Sequence, residues 1–448
     1  MASINKKSKL PIEYTHEGAT VRGITDVQRL RRSVLANLLW ENNFYEDGVD
    51  NAARIVDLAS KVKPEVVSDL AIEARTVHGL RHVPLLLLLD LIKRGGTGVA
   101  STIATTITRP DEITELAALY WKFNPNKDFS AQLKKGFASA FNKFDEYQLA
   151  KYNRDGDVKL RDVLFLSHAK PKDAFQATLF DKLINGELAT PDTWETNLSG
   201  GADKKETFER LISEGKLGYM ALLRNLCNME IAGVDRKLVR EAIRERKGSK
   251  YVLPFRYLAA AKAAPTYTGD LEEALLGSLE QAPKLKGKTV LIVDVSGSMQ
   301  SSLSDRSDMS REDAASSLAI ILREVSEDID IYANGNRTVK IKNLRGVALR
   351  DAIKNSGAGY DGITLTPATK FAKVHTSGPI ERVVVITDGQ DTGHGDNAPH
   401  KALLLGKRNY IINVAAYKNG VGYGPWNEID GFSESIIKYL VGYEEEFS

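Results

Sequence analysis

The sequence predicts an α plus α/β protein: an α-solenoid followed by an α/β domain. Two observations carry this. From about residue 26 to 280, apolar side chains recur three and four apart, as at Val27, Leu30, Val34 and Leu38, the period of an amphipathic helix. From about 285 the period changes to strand-like runs: "TVLIVDV" (289–295), "DIDIYAN" (328–334), "TVKIK" (338–342), "RVVVITD" (382–388) and "YIINVAAY" (410–417). Helical stretches lie between or after them, near 310–326, 346–355, 367–375, 397–408 and 433–441. Strands apolar on both faces, alternating with helices, point to a parallel sheet covered by helices.

In the helical half, Gly and Pro punctuate the pattern. Pro64 and Pro110 stand where a first helical turn begins, with Glu65, Asp111 and Glu112 just behind them, the residue types that helix starts favour. The longest apolar run, "VPLLLLL" (83–89), ends at Asp90; it is too short to span a bilayer and fits the middle of a buried helix.

A chain of 448 residues suggests two or three domains. The pattern divides it into an N-terminal arm (1–25), a helical module (26–284) and an α/β domain (285–448). Hydrophobic residues at 42% and charged residues at 27% are ordinary for a globular protein. Net charge is +2, unevenly spread: the first 287 residues carry 43 Lys and Arg against 38 Asp and Glu, the rest 18 against 21. A mildly basic front half is a weak pointer to an anionic partner. Cys227 is the sole cysteine, which rules out an intrachain disulfide and a cysteine-based zinc site and fits a reducing cytoplasm. The start, "MASINKKSKLPIEY", has no apolar core, so no secretory leader is expected.

In "VLIVDVSGSMQ" (290–300) a buried strand runs into a carboxylate and two hydroxyls, Asp294, Ser296 and Ser298. In parallel α/β sheets, ligands bind beyond the carboxyl ends of the strands. Alternate side chains of such a loop can converge on one point, and one carboxylate with two hydroxyls is a hard-oxygen set suited to a divalent cation, Mg²⁺ first. Mg²⁺ wants six oxygens, so other strand ends should contribute. Asp388 closes "RVVVITD", and the Gly-flanked loop "DGITLTPA" (361–368) offers Thr364 or Thr366. The competing reading is that Ser and Asp merely cap the next helix.

Residues 285–448 resemble a von Willebrand factor A domain, and Asp294, Ser296, Ser298, Thr364 and Asp388 match its metal-ion-dependent adhesion site. The resemblance implies a Rossmann-like fold in which the serines and threonine bind the metal directly, the aspartates act mostly through water, and a partner carboxylate completes the shell. One position departs: the family's Gly-Gly-Thr is here Gly362-Ile363-Thr364. Ile363 cannot take the positive φ open to glycine, so a shifted loop with Thr366 as ligand stays open.

The helical half contains "LRRSVLANLLWENNFYEDGVDNAARI" (30–55), "RHVPLLLLLDLIKRG" (81–95), "LRDVLFLSHAKPKD" (160–173) and "GYMALLRNLCNME" (218–230). These resemble the TROVE module of the Ro autoantigen family and its bacterial relatives, in which that module precedes a von Willebrand A domain. The resemblance implies a ring-like α-solenoid of HEAT-like helical pairs and a ribonucleoprotein role. Small noncoding Y RNA would bind the outer surface, and single-stranded 3′ ends of misfolded RNA would enter the central hole. A 3′ exoribonuclease is an implied partner through the RNA; a monomer is expected.

The segment "KYNRDGDVKLRDVLFLSHAKPK" (151–172) offers Lys151, Arg154, Lys159, Arg161, Lys170 and Lys172 for phosphates and His168 for a base or a phosphate, with the sequence-independent affinity such contacts supply. The resemblance places Lys151, Arg154 and His168 at Y RNA-binding positions. Interleaved Asp155, Asp157, Asp162 and Asp173 argue for an ordinary solvated face. Arg236, Arg240, Arg244 and Lys247 fall on one helical face, suited to a backbone groove. Arg224, inside "LLRNL", is either a buried arginine satisfied by carbonyls or, as the resemblance implies, a residue lining the hole.

Enzyme signatures are missing. His78 and His82 are four apart without an HExxH frame, and neither a G-x-x-x-x-G-K-[ST] loop nor a G-x-S-x-G elbow is present, so no hydrolase of those types is expected. The alternative to RNA binding is a metal-dependent protein-interaction scaffold that uses the adhesion site alone.

Overall fold

The computed structural model describes residues 13–14, 20–21, 25–36, 48–125, 128–249, 252, 254–280, 282–303, 309–414, 426–430 and 440. Of the helix expected at 433–441 only residue 440 is described, and the end of the strand expected at 410–417 lies outside the described residues. The chain forms two compact units: residues 52–252, and residues 1–51 together with 253–448. The period changes near 285, but the unit holding the sheet also takes in residues 1–51 and 253–284.

After a pair of two-residue antiparallel strands, β1 (Glu13–Tyr14) and β2 (Thr20–Val21), come α1 (Asp26–Ala36) and α2 (Gly48–Ser60). Unit 52–252 then contains α3 (Pro64–Thr76), α4 (His82–Arg94), α5 (Val99–Thr106), α6 (Pro110–Phe123), α7 (Ala131–Phe141), α8 (Glu146–Tyr152), α9 (Leu160–Leu166), α10 (Ala174–Asn185), α11 (Trp194–Ser199), α12 (Lys204–Ser213), α13 (Tyr219–Ile231) and α14 (Arg236–Glu245). Successive helices pack on one another, α3 on α4, α11 on α12 and α13 on α14, while α5 packs on α7. Pro64 and Pro110 open α3 and α6 as expected. The start of α6 is closed by buried Glu112, whose Oε2 accepts the N–H groups of Thr108 (2.8 Å) and Arg109 (3.1 Å), satisfying donors a helix start leaves open. The apolar run 83–89 is buried inside α4. Gly136 lets α7 lie against α5, since a Cβ there would stand 2.7 Å from Ile103 Cβ.

In the other unit, α15 (Phe255–Ala263) and α16 (Thr268–Leu279) lead into a six-stranded sheet. Its elements are β3 (Leu285–Asp294), α17 (Arg311–Val325), β4 (Ser326–Asn334), β5 (Thr338–Ile341), α18 (Gly346–Lys354), α19 (Leu365–His375), β6 (Ile380–Thr387), β7 (Arg408–Asn413) and β8 (Asn427–Asp430). Strand order is β5-β4-β3-β6-β7-β8. All pairs are parallel except β4 with the edge strand β5. From Thr289 to Asp294 every residue of β3 is buried, as a strand covered on both faces requires. One face forms a core of Val290, Ile292, Tyr332, Ile363, Leu365, Val383, Val385, Ile411 and Trp426.

The helix expected at 397–408 is absent. Two short 3₁₀ turns, Gly395–Asn397 and Pro399–Lys401, stand there instead. Pro399 holds Ala398 extended, at φ −55° and ψ 142°, as a residue before proline prefers. Ala402 and Leu405 then pack on the sheet core. The strand β8 was not legible, because "NEID" is too short to establish a period.

Candidate metal centre and nucleic-acid surface

β3 pairs with β4 on one side and β6 on the other, so the chain leaves β3 in both directions, the arrangement that opens a ligand crevice at the strands' carboxyl ends. Asp294 ends β3 opposite Asn334 of β4. Its Oδ1 accepts the Ser296 N–H at 2.8 Å, and its Oδ2 accepts the Thr387 hydroxyl, at the end of β6, at 2.7 Å. Ser296 Oγ and Ser298 Oγ are 3.1 Å apart, about the ~3 Å separation of neighbouring ligands around an octahedral Mg²⁺ with ~2.1 Å bonds.

Thr364 is tied to the same strand ends through Asn334. The Asn334 carbonyl accepts the Val295 N–H at 3.0 Å, and its side-chain oxygen accepts the Thr364 N–H, also at 3.0 Å. Ile363 sits in the loop without a left-handed backbone. Its φ is not positive; the positive angle falls on Gly362, at 123°. The Ile363 side chain is fully buried in the sheet core. Asp391 fixes the turn: its Oδ2 accepts the Leu365 N–H at 3.0 Å and its Oδ1 the Gly393 N–H at 2.7 Å. The Thr366 hydroxyl, by contrast, is committed to the Ala398 carbonyl at 2.7 Å, and its side chain is fully buried.

Asp388 is fully buried, and its Oδ2 meets the Arg311 guanidinium at 2.8 Å. Burial, with the neighbouring charge of Asp388, pushes the Asp294 carboxyl up to about 7, against the pull of its hydrogen bonds to Ser296 and Thr387. Two buried carboxylates whose charges oppose each other, beside two hydroxyls at ligand spacing, suit a hard divalent cation. Among the described residues no three His, Cys, Asp or Glu side chains gather at metal-binding distance, so a cation here depends on the hydroxyls. Asn334, Thr387, Asp391 and Arg311 were not picked out from the sequence. Their roles depend on which strand ends become neighbours.

In the helical unit, Arg154, His168, Lys170 and Arg224 are exposed, so Arg224 is not the buried arginine that was one of its two readings. Lys151 is half-buried, its ammonium 5.5 Å from the Tyr147 ring centroid and 5.9 Å from that of Tyr152, within cation–π range. His168 adopts a left-handed φ of 52° just past α9, its N–H donating to the Phe165 carbonyl at 3.0 Å. Beside it stand exposed apolar side chains: Phe165 is 57% exposed, Leu166 43% and Phe175 72%. Lys172 Nζ reaches the Asn142 carbonyl at 3.2 Å. On α14, Arg236, Arg240 and Arg244 are exposed, while Val239 and Ile243 are buried.

Fold and site thus define a two-part protein: helical repeats, then an α/β domain whose strand ends gather an Asp-x-Ser-x-Ser loop. Residues 180–272 match the TROVE domain family. Telomerase protein component 1 of Mus musculus is 39% identical over 79 residues, and that of Rattus norvegicus 38% over 79. These matches cover 16% of this chain and 3% of either relative. The crystal structure of the Ro (Rsr) protein of Deinococcus radiodurans superposes with a TM-score of 0.67 at 16% identity, over 94% of this chain and 99% of that one. One segment of the chain is thus similar to the TROVE domain, and the fold is similar to that of this Ro structure. Among the described residues, no helix is long and apolar enough to cross a membrane.

Proposed function

We propose that this protein is a non-catalytic RNA-binding protein of the cytoplasm. The TROVE domain supports RNA binding as such. The observation that carries the reading further is the exposed group around the end of α9 and the start of α10. Phe165, His168 and Phe175 offer ring faces to water, with Lys170 and Lys172 in the same segment. Unstacked bases bind such rings, and phosphates such lysines. Small structured RNA of the Y type, gripped here and at Lys151 and Arg154, and single-stranded 3′ ends of misfolded RNA are the proposed cargo. RNA quality control, or scaffolding of a 3′ exoribonuclease through the RNA, is the proposed role, performed by a monomer. The α/β domain is read as a von Willebrand A domain whose Asp294, Ser296, Ser298, Thr364 and Asp388 would hold Mg²⁺ and thereby grip a partner carboxylate.

The test is binding of RNA-freed protein to a structured RNA with a single-stranded 3′ tail, against the same RNA with a blunt end, across a salt series. Preference for the tailed RNA and a steep fall with salt are expected. Failure of both RNAs to bind at low salt refutes the reading. The strand-end site favours a second one, a metal-dependent protein-interaction scaffold; there EDTA abolishes partner capture and no RNA binds.

A further inference from the structure

Arg311 is the first residue of α17, yet it is only 3% exposed. Its Nη1 stands 2.8 Å from Asp388 Oδ2 and 3.5 Å from the Ser298 carbonyl, while its own N–H donates to the Ser301 carbonyl at 3.0 Å. The helix start behind it is fixed by a reciprocal cap, the Asp313 N–H to Ser310 Oγ at 3.0 Å and the Ser310 N–H to Asp313 Oδ2 at 3.1 Å. A guanidinium does not lose its proton in a protein, so the strand-end site contains a permanent positive charge aimed at one of its two buried carboxylates.

We propose that Arg311 is a resident counter-ion of this site, competing with a divalent cation for Asp388. The inference rests on the reading of these strand ends as a metal site. A fixed positive charge beside Asp388 opposes a second one in a poorly screened interior, and it neutralises Asp388 when no metal is bound. A cation here is therefore held weakly and exchanges readily, and the domain stays folded without it. Arg311 acts as a positioning residue, not as a ligand.

The experiment measures Mn²⁺ binding to RNA-free full-length protein by electron paramagnetic resonance, with melting temperature in EDTA and in Mn²⁺ as a second readout. Arg311→Met is expected to bind Mn²⁺ about tenfold tighter than the unaltered chain. It should melt lower in EDTA and recover with Mn²⁺, whereas the unaltered chain melts alike in both. Arg311→Lys, whose charge sits on a flexible stem, should bind about threefold tighter, and it decides the matter if Arg311→Met does not fold. Equal or weaker Mn²⁺ affinity in the variants, with clear binding to the unaltered chain, overturns the inference and leaves the metal site standing. No Mn²⁺ binding to any of the three proteins overturns both.

Discussion

The Thr387 hydroxyl donates to Asp294 Oδ2 at 2.7 Å, joining the ends of two neighbouring parallel strands. Thr387 Oγ1 in turn accepts the Gly389 N–H at 3.0 Å, so Thr387 orients the carboxylate while fixing the turn that carries Asp388. Asp294→Asn is expected to abolish Mn²⁺ binding in a calorimetric titration. Thr387→Val should weaken it about threefold to tenfold, the equivalent of one lost hydrogen bond of about 1 kcal/mol. Thr364→Ala should weaken it as well, and Thr366→Val should leave it unchanged, because that hydroxyl is already held by the Ala398 carbonyl. A larger loss from Thr366→Val than from Thr364→Ala would reassign the ligand.

The Ile363 side chain is part of the sheet core. Ile363→Gly is therefore expected to destabilise the domain by about 3–5 kcal/mol in urea unfolding. Deleting a buried Ile side chain to Ala costs about 2–5 kcal/mol, and a further glycine penalty follows from backbone entropy. No tighter Mn²⁺ binding should accompany it, since the positive φ is already supplied by Gly362. A gain in affinity would mean that Ile363 holds Thr364 away from the cation.

How much of this was legible beforehand follows from which interactions are local. The strand β3 and its Asp294 end could be read because a doubly covered strand leaves a continuous apolar run. The openings of α3 and α6 could be read from Pro64 and Pro110. Asn334 and Asp391 could not, because each bonds a backbone N–H about 26–30 residues away, and a lone Asn or Asp in a loop looks like turn chemistry. Arg311 was hidden for a related reason. In sequence it begins a helix among Ser310, Glu312 and Asp313, and only the sheet brings Asp388, 77 residues on, to its guanidinium. The helix expected over 397–408 failed on a local rule, the effect of Pro399 on Ala398.

Ring stacking and phosphate attraction can be separated in the helical unit. Phe175→Ala and Phe165→Ala should each weaken binding of a single-stranded RNA tail by about 1–3 kcal/mol, the usual worth of one stacked base, with an unchanged salt slope. Lys170→Glu should weaken binding across RNA sequences and flatten the slope of log affinity against log salt by about one contact. Filter binding from 50 to 300 mM salt, on the order of the usual range for such slopes, gives both quantities. Equal slopes for Lys170→Glu and the unaltered chain would remove Lys170 from the phosphate path.

The ring of His82, at the start of α4, is held neutral. Burial, and then the positive charges of Arg81 and Arg109, lower its pKa from 6.5 to about 4. Between those values the unfolded chain binds the proton that the folded chain refuses, so stability is lost as pH falls from about 6.5 and the loss is complete below about 4. Glu115, whose carboxyl burial pushes upward, acts in the opposite direction, so the difference between variants matters more than the slope of one protein. The ring is 36% exposed, and solvent screening keeps the effect well below a full conversion of the shift. His82→Gln should lose less stability than the unaltered chain between pH 7 and 4.5, read as urea midpoints at half-unit steps. Parallel curves would show that His82 is protonated in the folded protein and that its arginine neighbours do not control it.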